Sequence, residues 1–211
     1  MADPERDTET LAQVRALAPE IVGVLNDLAG ELASARRALA EARARLAAAE
    51  RLADRDPLTG LLNRRGFARE LRRAAALAGR HAQPATVLYL DLDGFKAVND
   101  QHGHEAGDAA LVHVGRLLEA NLRETDAVAR LGGDEFAALL ALADAEAGRA
   151  KAASLERLLA ATPLIAQGRR VPLRASFGVR ALTAGLSPER ALAEADQAMY
   201  AAKRARRSGA G

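Results

Sequence analysis

Asp126-Ala127-Val128-Ala129-Arg130-Leu131-Gly132-Gly133-Asp134-Glu135-Phe136-Ala137-Ala138-Leu139-Leu140-Ala141-Leu142 contains two apolar-rich runs, Asp126 to Leu131 and Phe136 to Leu142, separated by Gly132-Gly133-Asp134-Glu135. A glycine pair followed by acids between two such runs is a hairpin signal, so an antiparallel strand pair with carboxylates at its tip is predicted. Upstream, Ala85 to Asp93 reads as a further strand, apolar and β-rich until it ends on Asp91 and Asp93. Around these strands lie helical patterns over 67–78, 105–122 and 144–161, then a strand over 171–181. A last helix starts at Ser187-Pro188-Glu189, with serine as its cap and proline in its first position, and runs to about Arg207. Helices interleaved with largely antiparallel strands predict an α/β (α+β) domain with one central, mostly antiparallel sheet flanked by helices.

The rest of the composition narrows the class. Of 211 residues 49% are hydrophobic but only 3% are aromatic, so alanine and leucine dominate, which favours helix and disfavours an all-β sandwich. The absence of cysteine removes disulfides, thiolate metal sites and a thiol nucleophile. Phe136 to Ala143 is the longest uncharged apolar run, too short for a membrane span, and the charged N-terminus lacks a signal peptide's apolar stretch. A cytoplasmic protein without a membrane partner is expected. The pI of about 9.4 suggests nucleic acid, but the net charge is only +2. Lys96, Lys151 and Lys203 are the only lysines, and a small arginine surplus suffices to push the pI that high. No polymeric nucleic-acid partner is expected.

Residues 1–53 differ from the remainder. They contain no aromatic residue. Leu11, Val14, Ala18, Ile21, Leu25, Leu28, Leu32, Ala35, Leu39, Ala42, Leu46, Ala49 and Ala53 alternate spacings that average about 3.5 residues, a coiled-coil seam. Its length favours self-association over an amphipathic helix folded onto the domain, and its many alanines make it a weak zipper. Pro19 and Gly23 predict a short first helix followed by a longer one from about Pro19. The chain is therefore divided into an N-terminal helical segment, 1–53, for dimerisation and signalling, and a catalytic domain, 54–211.

Two acid-bearing strand ends carry the chemistry. Asp91 and Asp93 alternate onto one face of their strand. Alone they fit a solvated strand end as well as a site. Gly132 and Gly133 allow close approach of a ligand to the backbone, and Asp134 and Glu135 behind them suit an oxygen-ligated Mg²⁺. Strand ends that share carboxylates can hold two metal ions, as phosphoryl and nucleotidyl transfer require.

Six blocks in order make the chain recognisable: Asp56 to Arg65, Asp91 to Asp100, Gly103 to Asp108, Gly132-Gly133-Asp134-Glu135-Phe136, Ser176 to Val179, and Ala195 to Lys203. Over about residues 54–207 it resembles the GGDEF-domain diguanylate cyclases, whose fold is similar to a nucleotidyl cyclase or polymerase palm. The resemblance implies condensation of two GTP into cyclic di-GMP and two pyrophosphates, by attack of a ribose 3′-hydroxyl on the partner's α-phosphate. It implies that Asp91, Glu135 and the Leu92 carbonyl hold two Mg²⁺ ions per site, with Mn²⁺ as a substitute and Asp134 in support. Asp134, Glu135 and Lys203 are the implied catalytic residues. Asn99 and Asp108 would read guanine, while Gly132, Gly133, Lys96, Lys203 and Arg207 would meet the nucleotide and its triphosphate. For Asn99 and Asp108 the ordinary alternative is helix capping. His104 reads as structural rather than catalytic.

Arg123-Glu124-Thr125-Asp126 precedes Gly132 at the spacing of the family's RxxD product-inhibition motif. By resemblance Arg123 and Asp126 bind cyclic di-GMP, with Arg157 as a further arginine. A surface ion pair is the plainer alternative. Each domain binds one GTP in this family, so activity requires a homodimer, which a parallel coiled coil of residues 25–53 would supply. Two competing readings are a catalytically weak cyclic di-GMP receptor and a coiled-coil scaffold with a passenger domain.

Overall fold

The computed structural model describes residues 4–81, 83–166, 168–183 and 185–208, and the side chains of 1–18, 20, 47–52, 80–82, 167, 184 and 207–211 lie outside the description. The chain divides into two units, Met1–Glu50 and Arg51–Gly211.

The described residues of the first unit belong to one helix, α1 (Pro4–Ala53), with Pro19 inside it. No break occurs at Pro19 or Gly23, contrary to the sequence expectation. Proline in a helix interior costs about 3 kcal/mol, and a run of strong helix formers on both sides absorbs it. Along α1, Ile21, Leu25, Leu28, Leu32, Leu39 and Leu46 are all at least half exposed. The seam positions Leu11, Val14, Ala18 and Ala49 fall outside the described side chains.

The second unit runs α2 (Arg64–His81), β1 (Ala85–Leu92), α3 (Phe95–His102), α4 (His104–Ala120), β2 (Ala127–Gly132), β3 (Glu135–Ala141), α5 (Ala145–Ala161), β4 (Leu164–Ala166), β5 (Arg169–Val171), β6 (Ala175–Leu182) and α6 (Pro188–Ser208). Four strands form one sheet in the order β2-β3-β1-β6, with every neighbouring pair antiparallel. β4 and β5 form a separate small hairpin. That hairpin and α3 are absent from the sequence expectation. The segment expected as a strand from Val171 is divided at Pro172, which cannot donate to a ladder, so the long strand begins at Ala175.

Alternation along β1 separates two cores. Leu88, Leu90 and Leu92 pack with Phe136, Ala138 and Phe177 against Val114 and Leu118 of α4 and Leu155 and Leu159 of α5. Val87 and Tyr89 pack with Ala137 and Leu139 against Phe67 and Leu71 of α2 and Ala195 and Met199 of α6. Helices thus cover both faces, and β1 is buried from Ala85 to Leu90, the pattern of a central strand. Asp91 continues the parity of Val87 and Tyr89, which directs it to the α2/α6 side. Among the described residues no helix is long and apolar enough to cross a membrane.

Candidate functional site at the tip of the central hairpin

Register decides which acids meet. Asp91 of β1 lies directly opposite Glu135 of β3 on one side and Ser176 of β6 on the other. Like charges directly opposite across a ladder repel, so this pairing stands against the packing optimum. Asp134 joins them from the turn, where its carbonyl accepts the Leu92 N–H at 3.2 Å. Burial first, then the Asp91 carboxylate, raises the Asp134 pKa above the ordinary aspartate value. Gly133, at φ +51°, takes the left-handed conformation that the tight turn demands.

Cations offset part of this charge. Lys203 Nζ, from α6, pairs with Asp91 Oδ1 and stands 4.0 Å from Asp93 Oδ1. Arg64 reaches Glu135 at 3.5 Å and donates from Nε to the Leu131 carbonyl at 3.2 Å. Beneath Glu135 lies Tyr89, whose phenol is pushed up by burial and then by the Glu135 and Asp196 carboxylates. Arg130 fixes the turn from behind, donating to the Gly133 carbonyl at 3.0 Å and to Asp56 at 3.2 Å. Although burial opposes ionisation of Asp56, hydrogen bonds from Thr59 and the Arg130 guanidinium hold its pKa below the ordinary value.

The other expected site residues are distributed as follows. Asn99 lies on α3 against Gly107 of α4, so closely that a Cβ on Gly107 would sit 1.8 Å from Asn99 Oδ1. Asp108 follows on α4, exposed. Neither residue caps a helix: the residue preceding α4 is Gly103, without a side-chain cap. Lys96 is exposed on the first turn of α3, and Arg207 lies on α6 with its side chain outside the described ones. Gly132 and Gly133 are exposed at the hairpin tip.

Arg123 and Asp126 lie at the opposite end of β2. The Asp126 carboxylate accepts the Arg123 N–H and the Ala141 N–H, each at 3.0 Å. Two cavities, of about 650 and 400 Å³, share Arg123 and Asp126 in their walls. From α5, Lys151 and Ser154 line the smaller cavity, and Arg157 lines neither. Residues that the sequence reading passed over are Ser176, Arg64 and Arg206. Ser176 and Arg64 fall inside quoted motif blocks, whereas Arg206 has no spacing signal.

An antiparallel sheet whose central strands bring opposed carboxylates and a lysine to a glycine-rich turn offers the chemistry that a hard divalent metal and a phosphorylated substrate require. The family model for the diguanylate cyclase GGDEF domain matches residues 53–209, and the chain belongs to that family. Diguanylate cyclase TpbB of Pseudomonas aeruginosa is 41% identical over 190 residues, which cover 85% of this chain and 41% of TpbB. The crystal structure of the coiled coil and GGDEF domain of DgcB from Caulobacter crescentus, in complex with c-di-GMP, superposes with a TM-score of 0.72 at 28% identity, covering 84% of this chain and 95% of that one. Diguanylate cyclase SiaD of Pseudomonas aeruginosa, in complex with its activator SiaC, gives 0.74 at 30% identity, covering 95% and 77%. The chain spans less than half the length of the curated relatives it matches.

Enzymes of this family are divalent-metal dependent. The residues fit such an ion in kind, because the donors that Asp91, Asp134 and Glu135 offer are oxygens only. Among the described residues no group of three or more acidic, histidine or cysteine side chains converges on one point.

Proposed function

We propose that the chain is a diguanylate cyclase, active as a dimer, that condenses two GTP into cyclic di-GMP and is inhibited by its product. The observation that carries the reading is the opposition of Asp91 and Glu135 across the central strands beside Lys203. Asp91, Glu135 and the Leu92 carbonyl would hold two Mg²⁺ ions, with Asp134 in support. Bound metal would lower the pKa of the attacking 3′-hydroxyl and neutralise charge on the triphosphate. Lys203, Lys96 and Arg207 would bind the triphosphate over the Gly132-Gly133 backbone. Asn99 and Asp108 would recognise guanine, since an amide pairs with O6 or N3 and a carboxylate accepts from N1–H and the exocyclic amine. The exposed seam of α1 would pair two copies in parallel, with the catalytic domain beginning near Asp54. Arg123 and Asp126, with Arg157 from α5, would form the product site.

The test is incubation of the purified chain with GTP and Mg²⁺ under dimer-favouring concentrations. Cyclic di-GMP formation that Glu135→Gln abolishes is expected. If no product forms while cyclic di-GMP still binds, the protein is a receptor and the cyclase reading falls.

A further inference from the structure

Arg206 sits in the last turn of α6, outside every residue given a role above. Its guanidinium donates to Asp93 Oδ2 at 3.2 Å and to the Ala175 carbonyl at 3.1 Å, and its other arm meets Glu156 of α5 at 2.5 Å. The Ser176 hydroxyl holds the same Asp93 carboxylate, at 2.9 Å to Oδ1 and 3.1 Å to Oδ2. Asp93 is therefore held from two sides, by a neutral hydroxyl and by one arm of a guanidinium whose other arm meets Glu156. Lys203 lies between Asp91 and Asp93: it pairs closely with the first and stands 4.0 Å from Asp93 Oδ1, the outer limit of an ion pair. The two side chains of the pair, Lys203 and Asp91, are 17% and 16% exposed, where solvent screens them incompletely.

Two carboxylates on one strand end thus compete for one lysine. The competition is decided by what else binds Asp93. With Arg206 in place, Asp93 already has a cation partner, and Lys203 rests on Asp91. A lysine resting there blocks a divalent cation from Asp91 until an incoming triphosphate supplies the lysine with another anion.

We propose that Arg206 is a positioning residue that, by occupying Asp93, keeps Lys203 on Asp91, so that the lysine guards the metal ligand in the absence of nucleotide. This rests on the reading of Asp91 as a metal ligand, but not on any turnover. Without Arg206, Asp93 captures Lys203. Asp91 is then freed for metal, and Lys203 is drawn away from where the triphosphate binds.

The test is titration of the full chain with Mn²⁺ alone, without nucleotide, followed by electron paramagnetic resonance. Arg206→Gln is expected to tighten Mn²⁺ binding about fivefold, the scale of one ion pair gained or lost. Adding Asp93→Asn to that variant should return the affinity to the wild-type value, because the competing carboxylate is gone. Arg206→Lys, which keeps a cation on Asp93, should resemble wild type. Ser176→Ala, which loosens the same carboxylate from its other side, should shift affinity in the same direction by less, and it gives an independent answer if Arg206→Gln does not fold. With GTP present, Arg206→Gln should raise KM more than it lowers kcat. Unchanged or weaker Mn²⁺ binding in both Arg206→Gln and Ser176→Ala overturns the proposal, as does tightening that survives Asp93→Asn. A protein that makes no cyclic di-GMP but shows these Mn²⁺ shifts would refute the cyclase reading and leave this one standing.

Discussion

Two sets of carboxylates around the β2–β3 hairpin behave in opposite ways. Asp56 and Asp126 are saturated with donors: Thr59 and Arg130 for the first, the Arg123 and Ala141 backbone N–H groups for the second. Asp91 and Glu135 instead face each other across a ladder, and burial and then Asp91 push the pKa of Asp134, in the adjoining turn, up. The first set holds the turns and contributes to stability. The second set brings like charges to adjoining positions, the kind of arrangement that perturbed carboxylates in binding sites show. Asp126 has a second role within the first set, because it also lines two cavities.

Substitutions separate the two sets. The largest effect belongs to Glu135→Gln, which should reduce cyclic di-GMP formation by about a thousandfold, the scale of losing a charge-stabilising group at a reacting centre. Its melting temperature should stay the same or rise, since a repelling charge is removed; a substantial fall would move Glu135 into the structural set. Asp126→Ala should cost about 1–3 kcal/mol of stability by leaving two backbone N–H groups unpaired, measured by urea denaturation. It should also weaken product inhibition. Loss of inhibition without loss of stability would erase its dual character.

Asp56→Asn should be milder, about 1 kcal/mol, and its dependence on pH is diagnostic. Since the Asp56 pKa is lowered on folding from 3.8, its stabilisation is complete above that value and is lost as pH falls through the folded value. The stability gap between wild type and variant should therefore be present at pH 7 and close in acid. A gap constant over that range would mean that the ion pair with Arg130 contributes nothing. The smallest effect is expected for Arg157→Ala, which should relieve product inhibition less than Arg123→Ala does, because Arg157 lines neither cavity.

Much of this arrangement was legible in the sequence where one pattern dominated. β1 and β3 read clearly because central strands buried on both faces are near-continuous apolar runs. The Ser187-Pro188 start of α6 read clearly because cap chemistry is local, and Ser187 Oγ does accept the Arg190 N–H at 3.2 Å. α3 was invisible. Its eight residues, Phe95 to His102, include Asn99 and Asp100, bury none of their number and follow a left-handed Gly94, so neither periodicity nor propensity marks it. At the site, the acids could be named from their motifs, but their opposition could not, because register follows from how the whole sheet packs. Arg206 was missed for a related reason: its partners lie 31, 50 and 113 positions away along the chain.

The burial of β1 from Ala85 to Leu90 bears on how such a domain can evolve. A strand paired on both edges and covered on both faces belongs with the slowest-exchanging amides of a protein, and it opens only with global unfolding. Carboxylates mounted at its end inherit that rigidity and cannot be retuned by small backbone shifts. The cations beside the acids, Arg64 on α2 and Lys203 on α6, sit on other elements, where substitution changes the local charge without touching that strand.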